Sequence, residues 1–387
     1  MVFVFYSPTK VVFGRGSAGL IGEEVSKLGS KALVVTGRSF ARRTGVLSRV
    51  VDSLRRVGVD AVVFDRVLPN PPIENVAEGA DLAARSDVDV VVGLGGGSAM
   101  DTAKAIAAAV ELGGDVRAYL YPSTVPRALP VVAIPTTCGT GSEVTKYSIL
   151  TDTSARRKVA MVGEALIPRV ALVDPDTIRT LPRNLVAWTG LDALSHALEA
   201  FVSRASNEIS DLFAVEAAAL VVENLVEAYR GSRDAEERLH LAATLAGVAI
   251  NTGGTVLVHA LGYRLTAVHG IHHGLANALF LPYAIRPALA ADSVRGKLPR
   301  LLGRLGLDSL DEFFRVLCTL LDSLGIPRSL GEAGVPRSDF SGIVEDALSY
   351  RRNLKNMPID VDRQLVEEVV RGAFEGRGRA CAAQLGG

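Results

Sequence analysis

The chain has 387 residues, 48% of them hydrophobic, and Lys+Arg 42 is balanced by Asp+Glu 42. That length accommodates two ordinary domains with separate cores, and zero formal net charge leaves no basic excess to favour nucleic acid or an anionic membrane as a partner. No uninterrupted apolar run approaches the roughly 20 residues of a membrane span. The start, MVFVFYSPTK, lacks a basic leader and a small-residue cleavage site, so a soluble cytoplasmic protein without a targeting segment is expected.

In chain order, FVFYSPTKVVFG reads as two extended segments rich in Val and Phe. Exposed apolar edges of this kind are usually paired or covered, which predicts a homodimer joined through this region. KALVVTG (31–37) is a short β-branched strand, followed by a helical GVLSRVVDSLRRVG. DAVVFD (60–65) is the next strand and IENVAEGADLAARS the next helix. DVDVVVGLGGG (87–97) is a buried strand ending in glycines, SAMDTAKAIAAAVEL a helix, and LPVVAIPTT a further strand. This alternation predicts a mostly parallel sheet covered on both faces. KYSILTDTSARRKVAMV and RVALVDP add strands, after which NLVAWTGLDALSHALEAFV, EISDLFAVEAAALVVENLVEAY and AEERLHLAATLAGVAIN all show helical spacing. The expected organisation is an α/β domain over 1–181 and an all-α domain over 182–387.

The cysteines, Cys138, Cys318 and Cys381, are odd in number, far apart and without CxxC spacing. A disulfide framework or thiolate zinc site is not expected, and a reducing cytoplasm fits. Glutamine occurs only at Gln364 and Gln384, a low amide content that resembles thermophile usage; genomic base composition gives the same bias.

Two loops follow strands. GLGGGSAMDTAKA places glycines between a strand and a helix, where the backbone comes close to a ligand and the helix N-terminus offers free N–H groups. It is neither a P-loop nor a clean GxGxxG, so it is equally readable as a tight turn that binds nothing. PTTCGTGSEVT (135–145) opens at the same carboxyl edge of a parallel sheet, where ligands normally bind.

Three of the six histidines fall in VHGIHHG (268–274). Asp192 and His196 are four apart in GLDALSHALEAF, hence on one helix face. Such pairs are frequent by chance, but an unpaired carboxylate is costly in so apolar a stretch. His259 sits in apolar TVLVHALGYRL, and His273 follows Gly270. One aspartate with three neutral imidazoles suits a divalent first-row metal acting as a Lewis acid. His240, in ERLHLAATL, reads as an ordinary helix histidine.

At this point GGGSAMDTAKA, IPTTCGTGSEVT, DALSHALEAF and VHALGYRLTAVHGIHHGLANALFLP, in that order, resemble the iron-dependent (group III) alcohol dehydrogenases over nearly the whole chain. The resemblance implies an N-terminal dinucleotide-binding domain and a helical C-terminal domain, the dehydroquinate synthase-like fold. It implies metal ligands at Asp192, His196, His259 and His273, with Fe2+ as the metal, or Zn2+ or Ni2+ in its place. It places the pyrophosphate loop at Gly96, Gly97 and Ser98, with Asp101 in the same stretch. Cofactor contacts carry over onto Asn70, Thr136, Thr137, Thr140, Ile149 and Lys158. Many members have a histidine where this chain has Tyr263, and proline where it has His272. His269 and His272 are then expected to line the cleft or its mouth, with each a candidate in a proton relay. The implied reaction is reversible hydride transfer between a small alcohol or aldehyde and a nicotinamide.

Members that prefer NAD commonly carry an aspartate after the threonine that ends the first long strand. Here that position is Gly37, followed by Arg38 and Ser39, with Arg42 and Arg43 beyond. The repelling carboxylate is absent and a guanidinium stands nearby, which predicts NADP(H) over NAD(H). The same scaffold also resembles glycerol- or polyol-type dehydrogenases and dehydroquinate synthase. Enzymes acting on phosphorylated substrates should bring Lys and Arg to the helical domain's site, whereas 192–202 and 256–263 read as apolar and favour an uncharged alcohol. A non-catalytic nucleotide- or metal-binding protein is the reading from another class, and the intact ligand set argues against it.

Overall fold

The computed structural model describes residues 2–381. Tyr6–Pro182 form one compact unit, and Arg183 onward, together with the segment up to Phe5, forms the other. Among the described residues no single helix is long and apolar enough to cross a membrane.

The first unit holds a six-stranded sheet. Its strands are β1 Lys10–Phe13, β2 Lys31–Gly37, β3 Asp60–Val67, β4 Val90–Gly95, β5 Val131–Pro135 and β8 Val170–Val173. The spatial order is β1-β8-β5-β4-β2-β3, with every neighbouring pair parallel. Strands β6 Tyr147–Asp152 and β7 Arg157–Val162 pair with each other as a separate antiparallel hairpin rather than joining the sheet. Of the two extended segments expected at the N-terminus, only β1 is a strand.

Both sheet faces are covered, which is why the inner strands carry unbroken apolar runs. Leu33 and Val35 face one core with Phe64, Val91 and Ile106. Their neighbours Ala32 and Val34 face the opposite core with Val90, Leu94, Leu47 and Leu54. Helix α1 (Val46–Arg56) contributes to the second core, and α2 (Ile73–Arg85) and α3 (Gly97–Leu112) to the first. The close fit of α2 on α3 needs Gly79, where a Cβ would come within 2.2 Å of Ile106 Cδ1.

The second unit is helical. Its longest members are α4 (Arg183–Val202), α5 (Glu208–Arg230) and α6 (Arg233–Gly253), followed by α7 (Leu257–His269) and α8 (His273–Leu289). Every residue from Gly190 to Val202 is buried, so α4 is a central helix that must satisfy each of its polar groups internally. Helices α9 (Leu310–Ser323) and α10 (Phe340–Ser349) follow in the same unit.

Contrary to the expectation from spacing, Cys318 on α9 and Cys381 form a disulfide, while Cys138 is buried and outside it. Spacing along the chain carried no information about their proximity, because the short helix α11 (Gly378–Cys381) returns alongside α9. With a disulfide in the chain, cysteine usage does not favour a reducing compartment.

Candidate metal and cofactor sites

The two polar loops of the first unit meet at the carboxyl ends of β4 and β5. Chain order reverses between β2 and β4, which are spatial neighbours, and the loops leaving those strands diverge to open a crevice. Gly37, Arg38 and Ser39 leave β2 on one side of it, and Gly96, Gly97 and Ser98 leave β4 on the other. Gly96 is the N-cap of α3 and makes no side-chain cap. A Cβ at Gly96 would lie 3.0 Å from Thr137 Cγ2, and one at Gly97 would lie 2.7 Å from Thr140 Cγ2. The glycines therefore let the two loops approach as bare backbone. Thr137 Oγ1 is buried and has no hydrogen-bond partner among the described residues. A glycine cradle, a helix N-terminus and a waiting hydroxyl fit a dinucleotide pyrophosphate.

The remaining predicted cofactor residues brace this edge. Asp101 uses both oxygens internally: Ser142 Oγ donates to Oδ1 (2.5 Å) and the Ile149 N–H donates to Oδ2 (3.0 Å). Thr136 is held through its N–H to Gly95 O at 3.0 Å. Asn70 sits at φ 52°, its carbonyl accepting from Thr151 Oγ1 and its Oδ1 accepting from Lys158 Nζ at 2.9 Å. Burial lowers the Lys158 ammonium to about 8. Lys104, which sequence reading passed over, is fully buried and donates to Ser142 Oγ, Thr145 O, Thr145 Oγ1 and Tyr147 O, locking the second loop to α3. Arg42 pairs with Asp65, so its charge is already answered, whereas Arg38 is exposed.

In the helical unit, Asp192, His196 and His259 are buried and offer ligand atoms within 4.8 Å of one another. His196 Nε2 and His259 Nε2 are 2.9 Å apart. Asp192 Oδ1 lies 3.7 Å from His259 Nε2 and 3.8 Å from His273 Nε2. Four donors around one ion with bonds of about 2.1 Å stand about 3.0–3.4 Å apart. Asp192, His196 and His259 are spaced to fit a metal; His273 approaches the group through Asp192 at 3.8 Å and stands outside the set whose ligand atoms all lie within 4.8 Å of one another. Burial alone would raise the Asp192 pKa, but the charges of His196, His273 and His259 and the Asn277 amide bring it down to about 2. At His259 burial is likewise outweighed, here by the Glu199 carboxylate, and the pKa is raised.

Close helix contacts bring the donors together. A Cβ at Gly274 would sit 2.0 Å from Trp188 O, so only glycine allows α8 to start against α4 and set His273 beside Asp192. A Cβ at Gly262 would meet Asn277 Oδ1 at 2.1 Å, which brings α7 against α8. Asn277 Nδ2 donates to Asp192 Oδ1 (2.8 Å) and lies 3.1 Å from His259 Nε2 and 3.3 Å from His273 Nε2. Tyr263 stacks on His273 with ring centroids 5.8 Å apart, and Tyr350 packs on Tyr263 at 4.9 Å. Burial raises the Tyr263 phenol to about 12, keeping it neutral.

The other two histidines of 268–274 do different work. His272 caps α8 through Nδ1 to the Gly274 N–H and rests on Trp188, with burial lowering its pKa. His269 is ten residues beyond His259 on α7, about 15 Å along a helix, and pairs with Asp339, which also binds Arg264. His269 is not brought into the donor cluster. Glu199 and Asn277 are the polar residues that sequence reading missed. The signal for Glu199 was present, since it lies seven residues after Asp192 on the same face of an apolar helix. Arg352 is close enough to His259 and Tyr263 to act on both electrostatically, so the surroundings are less apolar than 256–263 alone suggested.

Residues 8–175 match the family model described as iron-containing alcohol dehydrogenase, and residues 186–374 match the C-terminal model of the Fe-containing alcohol dehydrogenase family. The chain is 34% identical to the NAD-dependent methanol dehydrogenase of Bacillus methanolicus, covering 89% of this chain and 92% of that one. It is 32% identical to the NADPH-dependent butanol dehydrogenase of Clostridium saccharobutylicum, over 96% and 97% of the two chains. The solved structure of an iron-containing alcohol dehydrogenase from Thermotoga maritima superposes with a TM-score of 0.87 at 36% identity, over 97% of this chain and 100% of that one. With the sheet and glycine loop in one unit, the Asp/His cluster in the other, and family matches over both, the chain belongs to the iron-containing alcohol dehydrogenase family.

Proposed function

We propose that this protein is a metal-dependent dehydrogenase interconverting a small uncharged alcohol and its aldehyde. The observation that carries the reading is the meeting of buried Asp192, His196 and His259, with His273 beside Asp192. These residues would hold a divalent metal, which would supply Lewis-acid polarisation of the substrate oxygen, and a bound nicotinamide dinucleotide would take or give the hydride. The chain's residues prepare for both. Ionised Asp192 offsets the charge of the ion, and Asn277 holds its Oδ1 in place. Tyr263 and Trp188 pack against His273 and His272 and hold those rings in place. Gly96, Gly97 and Thr137 offer backbone and hydroxyl groups to the pyrophosphate. His259→Ala is expected to keep the fold by circular dichroism and lose both bound metal and turnover after anaerobic purification. A variant retaining full metal and full activity refutes the site.

The finer reading of the cofactor is NADP(H) over NAD(H). Gly37 carries no charge to repel a 2′-phosphate and exposed Arg38 can grip one. With Arg42 held by Asp65, that preference rests on Arg38 and Ser39. A preference of at least tenfold in kcat/KM, about 1.4 kcal/mol, is expected, with Gly37→Asp shifting it toward NAD(H). Equal efficiency in the wild type, or no shift in the variant, refutes this. A homodimer through the apolar edge at Val11 and Phe13 is part of the same proposal, and a monomer by light scattering at micromolar concentration counts against it.

A further inference from the structure

We infer that Glu199 is the positioning residue that sets the tautomer of His259, and that one carboxylate thereby couples the start of α7 to metal binding. The coupling rests on the reading of the Asp/His cluster as a metal site; the tautomer does not.

Glu199 is fully buried, and a buried carboxylate is stable only when its oxygens are bonded. Oε1 accepts from the backbone N–H of Val256 (2.8 Å) and of His259 (3.3 Å). These are N-terminal groups of α7, which have no partner within the helix. Val256 is the N-cap and provides no side-chain cap, so Glu199 caps this helix from α4. Oε2 pairs with His259 Nδ1. With Oε2 as the acceptor there, Nδ1 carries the ring proton and Nε2 keeps its lone pair, which also suits the Asn277 Nδ2 donor 3.1 Å from Nε2. That lone pair is on the side facing His196 Nε2 and Asp192 Oδ1.

Glu199→Gln separates the two roles. The amide has the same shape, but its single oxygen is needed by the two backbone donors, which turns its NH2 toward Nδ1. Nδ1 must then accept, and the proton moves to Nε2, where it opposes a metal. The test uses the full chain labelled with 15N-histidine, without metal and on the alkaline side of the ring's titration, with His259→Ala to assign the signal. Wild type is expected to show Nδ1–H at His259, and Glu199→Gln to show Nε2–H. Zn2+ affinity, measured by chelator competition, is expected to fall about 10–100-fold in Glu199→Gln, with the metal-free thermal midpoint close to wild type. Glu199→Ala, which also removes the cap, is expected to lower that midpoint.

Nε2–H in the wild type overturns the proposal even if no variant folds, as does an unchanged tautomer or unchanged Zn2+ affinity in Glu199→Gln. Nδ1–H in a wild-type protein that binds no Zn2+ supports the positioning role and removes the metal reading instead.

Discussion

Gly274→Ala is a one-methyl test of how the donor set is assembled. The added Cβ would stand 2.0 Å from Trp188 O, 2.7 Å from Trp188 C and 3.1 Å from Asp192 Cβ. Two of these atoms are backbone of α4, so no rotamer change makes room. Restoring ordinary contact of about 3.5 Å requires α8 to retreat by more than ~1 Å. His273 moves with it, and its 3.8 Å separation from Asp192 widens to about 5 Å, beyond what one ion with bonds near 2.1 Å can bridge. Overpacking of this kind costs ~1–3 kcal/mol of stability. We expect a lower thermal midpoint and at least a tenfold loss of metal affinity, about 1.4 kcal/mol, read by differential scanning calorimetry and chelator competition. Gly303→Ala is the control, because its Cβ meets nothing within 4 Å. If both variants behave alike in both assays, close helix approach does not build the site.

Cys381→Ala opens the Cys318–Cys381 link, which spans 63 residues; the chain-entropy relation puts the loss at about 4 kcal/mol. A urea midpoint equal to that of the oxidised wild type would refute that stabilisation. His240 is fully buried, and neither ring nitrogen has a partner among the described residues; burial lowers its pKa to about 3. The unfolded chain binds this proton from pH ~6.5 downward, so stability is lost as pH falls from there toward 3, by up to about 5 kcal/mol in total. His240→Leu should flatten that limb of the stability profile, and an unchanged acid limb would show that His240 is not its source.

The first unit was legible because its signals are local. β2 and β4 are apolar runs bounded by turns, and the glycines after β4 mark the loop whatever the rest of the chain does. Asp192 and His196 were legible for the same reason, being one turn apart. What escaped is long-range. Asn277 meets Asp192 across 85 residues, Glu199 meets Val256 across 57, and the disulfide closes 63. Nothing near these residues announces their partners. The run at 268–274 misled in the opposite way, since adjacency in sequence placed His269 near the cluster, while the helix carries it away to Asp339.

The segment up to Phe5 packs with the helical unit, Phe5 lying parallel to Phe213 at 5.8 Å, before the chain enters the α/β unit at Tyr6. On a ribosome these residues emerge well before their partner, which is made some two hundred residues later. The α/β unit can close as soon as Pro182 is out, while the segment up to Phe5 waits for the helices that follow Arg183. A protein begun at Arg183 would lack that strap and leave Phe213 without its stacking partner, so cutting this chain at its obvious seam yields one complete unit and one incomplete one.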